Sequence, residues 1–519
     1  MSDTLIYLAN ILNVDPEHLT RLNDIRLYAE GEQPIQATET QIELLGKATD
    51  VNFNPIMNVC KIIITSESNR LRVLGQEVSG LGNGALTVEV DNYLDTIWQL
   101  SDMDLVSRGL HYLSLRDGDG YLIVSFDPNT GRARYDLNSA YDGREGVYMA
   151  YSDPANRHSA LYAFKRWSEY KPRNNRYQNT IERLTVYWPN RIEYYILTGN
   201  QWSPYLDAAS EDTQQPQFYE LVNPFDESKT YTAAVAWLTD DGTENGLPLG
   251  LPVFHYPHGG LGMTTGVSAV ADVVPGLQDA INGALVDLIG ASMLAGFPIN
   301  WITGYDGSTK SGDVDNAIKV YAGAMLYQRK PDATFGQLPA ADLSQLIEVL
   351  NTHVKNAAIL TSTPLQFLNE TAQIPAEGTL RAIQEGLVSK VENAQSGLST
   401  VYGNAARYAL ILEAVFGSRL GNDPTLFAEA LIKTRWADPL PRSASELLTT
   451  LAQKQALGVP RRVLWQELGY TDDEIQRMQA ETDVIRNMTI AATMQAIQAT
   501  GDGTAIVNRA NQLGSNNPS

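Results

Sequence analysis

Between two stretches of apolar helical period, 342–360 (DLSQLIEVLNTHVKNAAIL) and 379–416 (TLRAIQEGLVSKVENAQSGLSTVYGNAARYALILEAVF), the chain reads TSTPLQFLNETAQIPAEG, Thr361 to Gly378. Pro364 and Pro375 keep this segment from being one continuous helix, because proline lacks the N–H and its ring clashes with the preceding turn. Helix–helix turns need only a few residues, and longer connections inside compact domains are uncommon and usually functional. Whatever this chain folds into must hold two helices and give the segment between them somewhere to go.

The rest of the chain is mixed. Residues 1 to about 85 read as mostly helical, with Asp15 as an N-cap and Pro16 at the first helical position. From Asp91 to about Val124 helix gives way to strand, and HYLSLRDGDGYLIVSFD (His111–Asp127) reads as a hairpin, two apolar runs joined by Asp-Gly-Asp-Gly. Short strands with turn signals follow to Pro257. Val274–Gly296 is helical by period, Ile318–Gln328 is strand-like, Phe427–Trp436 fits a strand or a short helix, and Ser443–Ala480 reads as three short helices. The tail QLGSNNPS carries no structural signal. The expectation is an α+β chain, predominantly helical.

Charge narrows the function. The 519 residues carry a formal net charge of −22. An acidic chain lacks the Lys and Arg surface from which ordinary phosphate affinity comes. Cys60 is the single cysteine, so no intrachain disulfide forms; it sits in the apolar run NVCKIII, as a buried inert thiol does. The start MSDTLIYLANILNV lacks a basic n-region and a cleavage site, and Asp287 and Asn282 interrupt the closest approach to a membrane span. GLGNGALT (Gly80–Thr87) lacks the lysine and spacing of a phosphate loop. His255 and His258 have no third metal ligand at useful spacing, and Asp117 and Asp119 lack the later ligands of a calcium loop. No catalytic residue, metal or cofactor is assigned, and the expectation is a protein that is not an enzyme.

One helix face stands out. At 100° per residue from Val274, the residues Leu277, Ile281, Leu285 and Leu288 cluster within about 60° of Val274, while Asp279 and Asp287 fall near 140° and 220°. Asp272 joins the acidic stripe if the helix extends back through Pro275. The stripe is either a solvated face or the wall of an aqueous channel between helices in a ring, and the period alone leaves both open.

Three stretches together resemble the portal (head–tail connector) proteins of tailed bacteriophages, siphophage type. VSAVADVVPGLQDAINGALVDLIGASMLAGF (Val267–Phe297) is similar to that family's stem helix, D-V-x-P-L-Q-D-A-x-N, with Gly276 extra. TSTPLQFLNETAQIPAEGTLRAIQEGLVSK (Thr361–Lys390) resembles T-P-x-x-x-L…P-S-G-E-x-L-R-A-x-E-x-G-L-x-x-K, with Ala376-Glu377-Gly378 departing from S-G-E. YAEGEQPI (Tyr28–Ile35) and Asn52-Phe-Asn-Pro55…Arg70-Leu-Arg-Val73 resemble the family's opening, and TRWADPLPRSASE (Thr434–Glu446) its last wing segment. The likeness spans about 30 to 480, in matching order.

The resemblance implies a portal fold assembled as a ring, usually a dodecamer, with a central channel. It places an α+β wing at 1–268, stem helices at 269–296 and 342–360, and a clip at 297–341. A tunnel loop follows at 361–378, then the spine helix and return to the wing at 379–440, a crown at 441–500 and a flexible tail at 501–519. It implies that Thr363, Pro364, Leu365, Gln366, Phe367, Leu368, Asn369 and Glu370 belong to the loop facing the channel. Asp272, Asp279 and Asp287 would line the channel, and Trp301, Tyr321 and Tyr327 of the clip would dock an adaptor. The implied function is packaging and ejection of double-stranded DNA, without sequence specificity, at one capsid vertex of a virion assembled in the bacterial cytoplasm. The implied partners are the terminase large subunit, the head–tail adaptor, and major capsid and scaffold proteins, with no membrane. A tail or baseplate component and a hydrolase are the competing readings. Twelve copies would carry on the order of −260 charges, from which DNA is repelled rather than held.

Overall fold

Asp15 closes the start of the second helix as its sequence position requires, its side chain accepting a hydrogen bond from the Glu17 N–H, with Pro16 at the first helical position. The computed structural model describes residues 3–35, 55–81, 84–127, 129–173, 176–205, 217–236, 243–244, 247–248, 250–260, 262–296, 300–303, 334–337, 342–368, 377–417, 419–421, 423–440, 444–468 and scattered positions from 470 to 488. They fall into two units, Met1–Pro439 and Leu440–Ser519.

In the first unit, helices α1 (Asp3–Ile11), α2 (Pro16–Glu30) and α3 (Val59–Ser68) precede strand β1 (Val73–Ser79). Helices α4 (Gly84–Leu100) and α5 (Met103–Asp117) follow, then strands β2 (Asp119–Asp127) and β3 (Arg132–Ser139). Next come β4 (Gly146–Tyr151), β5 (Ala160–Arg173), β6 (Arg176–Trp188), β7 (Arg191–Thr198), β8 (Gln201–Pro204), β9 (Gln217–Asn223) and β10 (Asp226–Ala236). These seven form one antiparallel sheet, in the order β4-β5-β6-β7-β10-β9, with β8 on β7. Strand β11 (Val253–Pro257) joins β2 and β3 in a second sheet. Helix α6 (Gly276–Gly296), the short strands β12 (Asn300–Thr303) and β13 (Thr334–Gln337), helix α7 (Leu343–Leu360) and the 36-residue helix α8 (Glu377–Leu412) complete the unit, with β14 (Leu431–Trp436) returning to pair β1.

This corrects the expectation of a predominantly helical chain. Among the described residues 48% are helical and 26% are in strands. The strands look isolated in sequence because each has one apolar face of only a few residues. Pairing adds those faces together: Phe164, Leu184, Val186, Tyr195, Tyr231, Ala233 and Val235 form one buried cluster against Tyr7 and Leu8 of α1.

The hairpin read at His111–Asp127 is also corrected. His111 to Asp117 is the last part of α5, and only residues 119–127 are strand. Leu110, His111, Ser114, Leu115 and Asp117 are buried at helical spacing, so HYLSL is one face of a helix. Gly118 ends it with φ 89°, and a side chain there would meet the backbone of Gly266 at 3.0 Å. The Phe427–Trp436 segment resolves into both alternatives, a turn of helix over Thr425–Ala428 and strand β14.

Helix α8 is the spine of the larger core. Leu387, Val391, Ala394, Leu398, Val401, Ala405, Tyr408 and Leu412 are all buried, at intervals of three and four. Two glycines admit close neighbours: a Cβ on Gly397 would lie 2.7 Å from the Tyr256 ring, and one on Gly403 would lie 3.0 Å from the Ile432 carbonyl oxygen. In the second unit, helices α9 (Ala444–Ala456) and α10 (Arg461–Glu467) meet at Gly458, φ 88°.

A fully buried carboxylate ties α1 to the large sheet. Glu193 Oε2 accepts from the hydroxyls of Tyr7 at 2.7 Å and Tyr195 at 3.0 Å, while Oε1 accepts from Tyr231 at 2.7 Å and pairs with Arg191 at 2.7 Å. Removing the acceptor leaves three phenols and a guanidinium short of a partner. Glu193→Ala is expected to lower the unfolding free energy by about 3–5 kcal/mol in urea titration. A change below about 1 kcal/mol would show that the cluster contributes packing alone.

Candidate functional site

Helices α6 and α7 lie side by side and antiparallel. A cavity of about 470 Å³ between them is lined by Gly276, Leu277 and Ala280 from the start of α6 and by His353, Asn356, Ile359 and Leu360 from the end of α7. At the other end, β12 and β13 pair in register, Asn300 opposite Gln337 and Thr303 opposite Thr334. The described parts of 276–360 therefore run as a helical hairpin. On α7, Ile347, Val349, Ile359 and Leu360 are exposed.

The foot of this hairpin is locked to the body by amides. Gln278 and Asn282, one turn apart on α6, are 0% and 2% exposed. Gln278 Oε1 accepts from the backbone N–H groups of Val59 at 3.2 Å and Cys60 at 3.4 Å. Its Nε2 donates to the Met57 carbonyl at 2.8 Å and to Asn282 Oδ1 at 3.0 Å, and that same Oδ1 accepts from the Met57 N–H at 3.2 Å. The first N–H groups of α3 have no partner within their own helix, and Gln278 supplies one from α6. Asn58 caps the same end, accepting from Lys61 N–H and donating to the Ala29 carbonyl at 2.9 Å. Burial pushes the Cys60 thiol up to about 12, so it stays protonated.

Asp279 takes part in the same joint. Both of its carboxylate oxygens accept from the Tyr28 hydroxyl, at 2.9 Å each. Burial, then the Asp279 bond and charge, hold the Tyr28 phenol well above its ordinary value. Of the three acidic residues assigned to one stripe, Asp279 is thus half-buried and committed to Tyr28. Asp287 is exposed on α6. Asp272 is exposed but lies in the turns before Gly276, where α6 begins, and outside the helix.

The segment after α7 begins as a packed structure. Thr361 and Thr363 are 2% and 4% exposed and bonded hydroxyl to hydroxyl at 2.9 Å. Ser362 between them has φ 51°, a left-handed conformation uncommon for a residue with a side chain. Pro364 is buried, and Leu365, Gln366, Phe367 and Leu368 make one helical turn, with Leu368 5% exposed in the core and Phe367 at the surface. Leu368, which the resemblance placed in the loop facing the channel, is buried in the core. Asn369 and Glu370 lie outside the described residues, as do Tyr321 and Tyr327. Trp301 lies in β12 opposite Gly336.

Two cations that sequence reasoning did not single out fasten this foot. Lys390 Nζ, from α8, donates to the Thr361 carbonyl at 2.7 Å. Arg70 donates to the Pro439 carbonyl at 2.8 Å and to Gln384 Oε1 at 3.4 Å, and its guanidinium lies 5.8 Å from the Phe367 ring centre. Both lie in quoted motifs, which was the available signal. Beneath them Glu67 is 1% exposed, and burial pushes its carboxyl up to about 7, with the Lys390 charge pulling the other way.

The structure also brings together residues that look unrelated in sequence. His255 Nε2 is 2.8 Å from Asp119 Oδ1, its Nδ1 is 2.8 Å from the Tyr151 hydroxyl, and Tyr121 stacks on its ring. Among the described residues no group of three or more His, Cys, Asp or Glu side chains is placed to hold a metal ion. Among the same residues no helix is long and apolar enough to cross a membrane. A scan of protein-family models found none that matches this chain, and a search of curated proteins found no similar sequence.

Two stability measurements test this joint. Gln278→Leu keeps the volume but removes the acceptor of the Cys60 N–H and one of two partners each of the Val59 N–H and the Met57 carbonyl, with an expected loss of about 1–3 kcal/mol in chemical denaturation; a loss under about 0.5 kcal/mol would mean the amide is replaceable. Glu67 gives a pH signature. The folded state holds its proton up to about 7, while the unfolded chain releases it near 4.5. Its contribution to stability is full below about pH 4.5 and is lost as pH rises to about 7, by up to about 3 kcal/mol. Glu67→Gln is expected to flatten the fall in thermal midpoint between pH 5 and about 8; identical profiles would show that Glu67 does not titrate in this window.

Proposed function

We propose that this chain is the subunit of a portal ring at one vertex of a phage capsid. Double-stranded DNA would be packaged and later ejected through it, and terminase and then a head–tail adaptor would dock on it. The observation that carries the reading is the run from residue 276 to 412. A helical hairpin ends in a small β ladder, a segment leaves its foot between fixed anchors, and a 36-residue helix returns through the core. The quoted motifs meet here: Tyr28 on Asp279, Asn58 and Gln278 at one helix start, Arg70 over Phe367, Lys390 on Thr361.

In this reading 269–296 and 342–360 are the stem helices, 297–341 the clip and 361–378 the tunnel loop. Leu365 to Leu368 form its base. Asp287, exposed on α6, is the candidate for an acidic channel wall. The wall acts by repulsion within about 8–10 Å at physiological salt, so DNA slides without being gripped. A hydrolase in the α+β half is less well supported. Its best candidate base, His255, has both ring nitrogens occupied and is 7% exposed, leaving no nitrogen for a substrate.

Native mass spectrometry with negative-stain imaging tests the assembly. The expected result is a closed ring of about twelve subunits with an axial hole; a chain that stays monomeric with capsid and scaffold proteins present would overturn the reading. Within a ring, Asp287→Lys is expected to slow or stall DNA packaging, and unchanged packaging would remove the acidic wall from the mechanism.

A further inference from the structure

Beside the first turn of the segment after α7 lies a carboxyl that lacks a partner. Glu67, on α3, is 1% exposed, and its Oε1 is buried with no hydrogen-bond partner among the described residues. His258 Nδ1, in the turn after β11, is buried and unpartnered in the same way. Buried polar atoms are paired in the great majority of cases, so two orphans around one cation call for an explanation. That cation is Lys390. Its charge acts on both Glu67 and His258, while its Nζ donates to the Thr361 carbonyl at 2.7 Å.

Helices α2, α5 and α8 and the turn Leu365–Leu368 pack on α3. The turn has no titratable side chain. On α2, Glu30 is exposed and lies 3.8 Å from Lys61, and Tyr28 is held by Asp279. On α5, His111 is bonded to the Leu71 carbonyl at 3.1 Å and to Tyr402 at 3.0 Å, and burial pushes its imidazole down to about 3. Arg70 gives its bonds to the Pro439 carbonyl and to Gln384. On β11, burial and then the Glu67 charge hold the Tyr256 phenol well above its ordinary value. Burial, with Lys390 adding to it, pushes His258 down to about 4. These histidines and Tyr256 are therefore neutral around pH 7. What changes there is Glu67, whose carboxyl titrates at about 7.

The two states of Glu67 act differently on Lys390. Protonated, the carboxyl carries no charge, and the ammonium stays on the Thr361 carbonyl. Ionised in a site closed to water, the carboxylate needs a cation, and a charge-assisted bond is about twice as strong as a neutral one. The lysine stem is flexible, so its ammonium can turn from one acceptor to the other. What it would leave is a closely fitted turn. Thr361 caps α7, Ser362 has φ 51°, and a Cβ on Gly386 of α8 would lie 3.2 Å from the Ser362 Cβ. A left-handed residue persists only while its surroundings hold it.

We propose that Glu67 and Lys390 form a proton-controlled latch on this turn. With Glu67 protonated, Lys390 holds Thr361, and the chain through Leu368 stays closed on the core. With Glu67 ionised, Lys390 turns to the carboxylate and the turn loosens. By linkage, a closed turn favours the proton on Glu67 to the same extent. The latch belongs to the single chain and does not depend on the ring.

Hydrogen exchange of the full chain at about pH 5.5 and about pH 8.5, corrected for the pH dependence of intrinsic exchange, tests this. The amides to follow are Ser362, Thr363 and Phe367, bonded to the carbonyls of Ile359, Ala358 and Pro364. Their protection is expected to fall about tenfold from the lower to the higher pH, by a local opening insensitive to low urea. Glu67→Gln, which mimics the protonated carboxyl, should keep them protected at both pH values, and Lys390→Met should leave them loose at both. Equal protection of the wild-type turn at the two pH values would overturn the latch. So would a fall that Glu67→Gln shares, or a Lys390→Met turn as protected as the wild type at low pH. A fall that matches the amides of β6 and β7 in size and urea dependence would also overturn it, because the proton would then act through global unfolding alone.

Discussion

The joint at Gln278 is the constraint from which the rest of the larger unit takes its geometry. A helix start buried inside a protein has N–H groups that water cannot reach, and leaving them unpaired costs as much as a lost hydrogen bond each. Gln278 meets two of these groups and a neighbouring carbonyl with one side chain, and Asn282 holds that side chain in place. The direction of α6 is thereby fixed relative to α3. Tyr28 on Asp279 adds a further contact beside them and fixes α2. A hairpin that extends from a body needs its leverage resisted at the foot, and directional bonds between buried groups resist rotation better than apolar contact does.

This joint explains why the helical wheel of α6 misleads. Periodicity separates apolar from charged residues, and it put Leu277, Ile281, Leu285 and Leu288 on the inner face. The buried positions include Gln278, Ile281, Asn282 and Val286, so the inner face is rotated towards the amides. An amide that satisfies backbone groups counts as polar on any hydropathy scale while behaving as core. The same blindness hid Arg70 and Lys390, whose partners are carbonyls far away in sequence. What was legible was local: the Asp15 cap, both helices around residues 361–378, and the length of the spine. The seven-stranded sheet was not legible as one object, because its register is set by pairing between strands far apart in sequence, such as β7 with β10. His255 and Asp119 are separated by 136 residues and met only through the β2–β11 ladder.

The segment after α7 is held tightly where it starts. Its first residues are over-determined: buried hydroxyls, a left-handed Ser362, a helical turn with Leu368 in the core, and a lysine on the Thr361 carbonyl. Strained backbone such as that of Ser362 persists where the surroundings leave no alternative. Fixing this first turn holds the end of α7 and the start of the segment in one arrangement against the core.

The use of cations ties this local design to the charge of the whole. Several of the scarce basic side chains are turned to backbone carbonyls. Lys390 holds Thr361, Arg70 holds Pro439, Arg157 holds His255 at 3.3 Å and Arg407 holds Ala430 at 3.1 Å. Each such bond satisfies a carbonyl without pairing its cation to a carboxylate there. A chain with 38 basic residues against 60 acidic ones thus devotes part of its positive charge to internal fastening. The acidity itself comes from composition, 60 acidic against 38 basic residues, and any polyanion passing close to the surface meets that net negative charge.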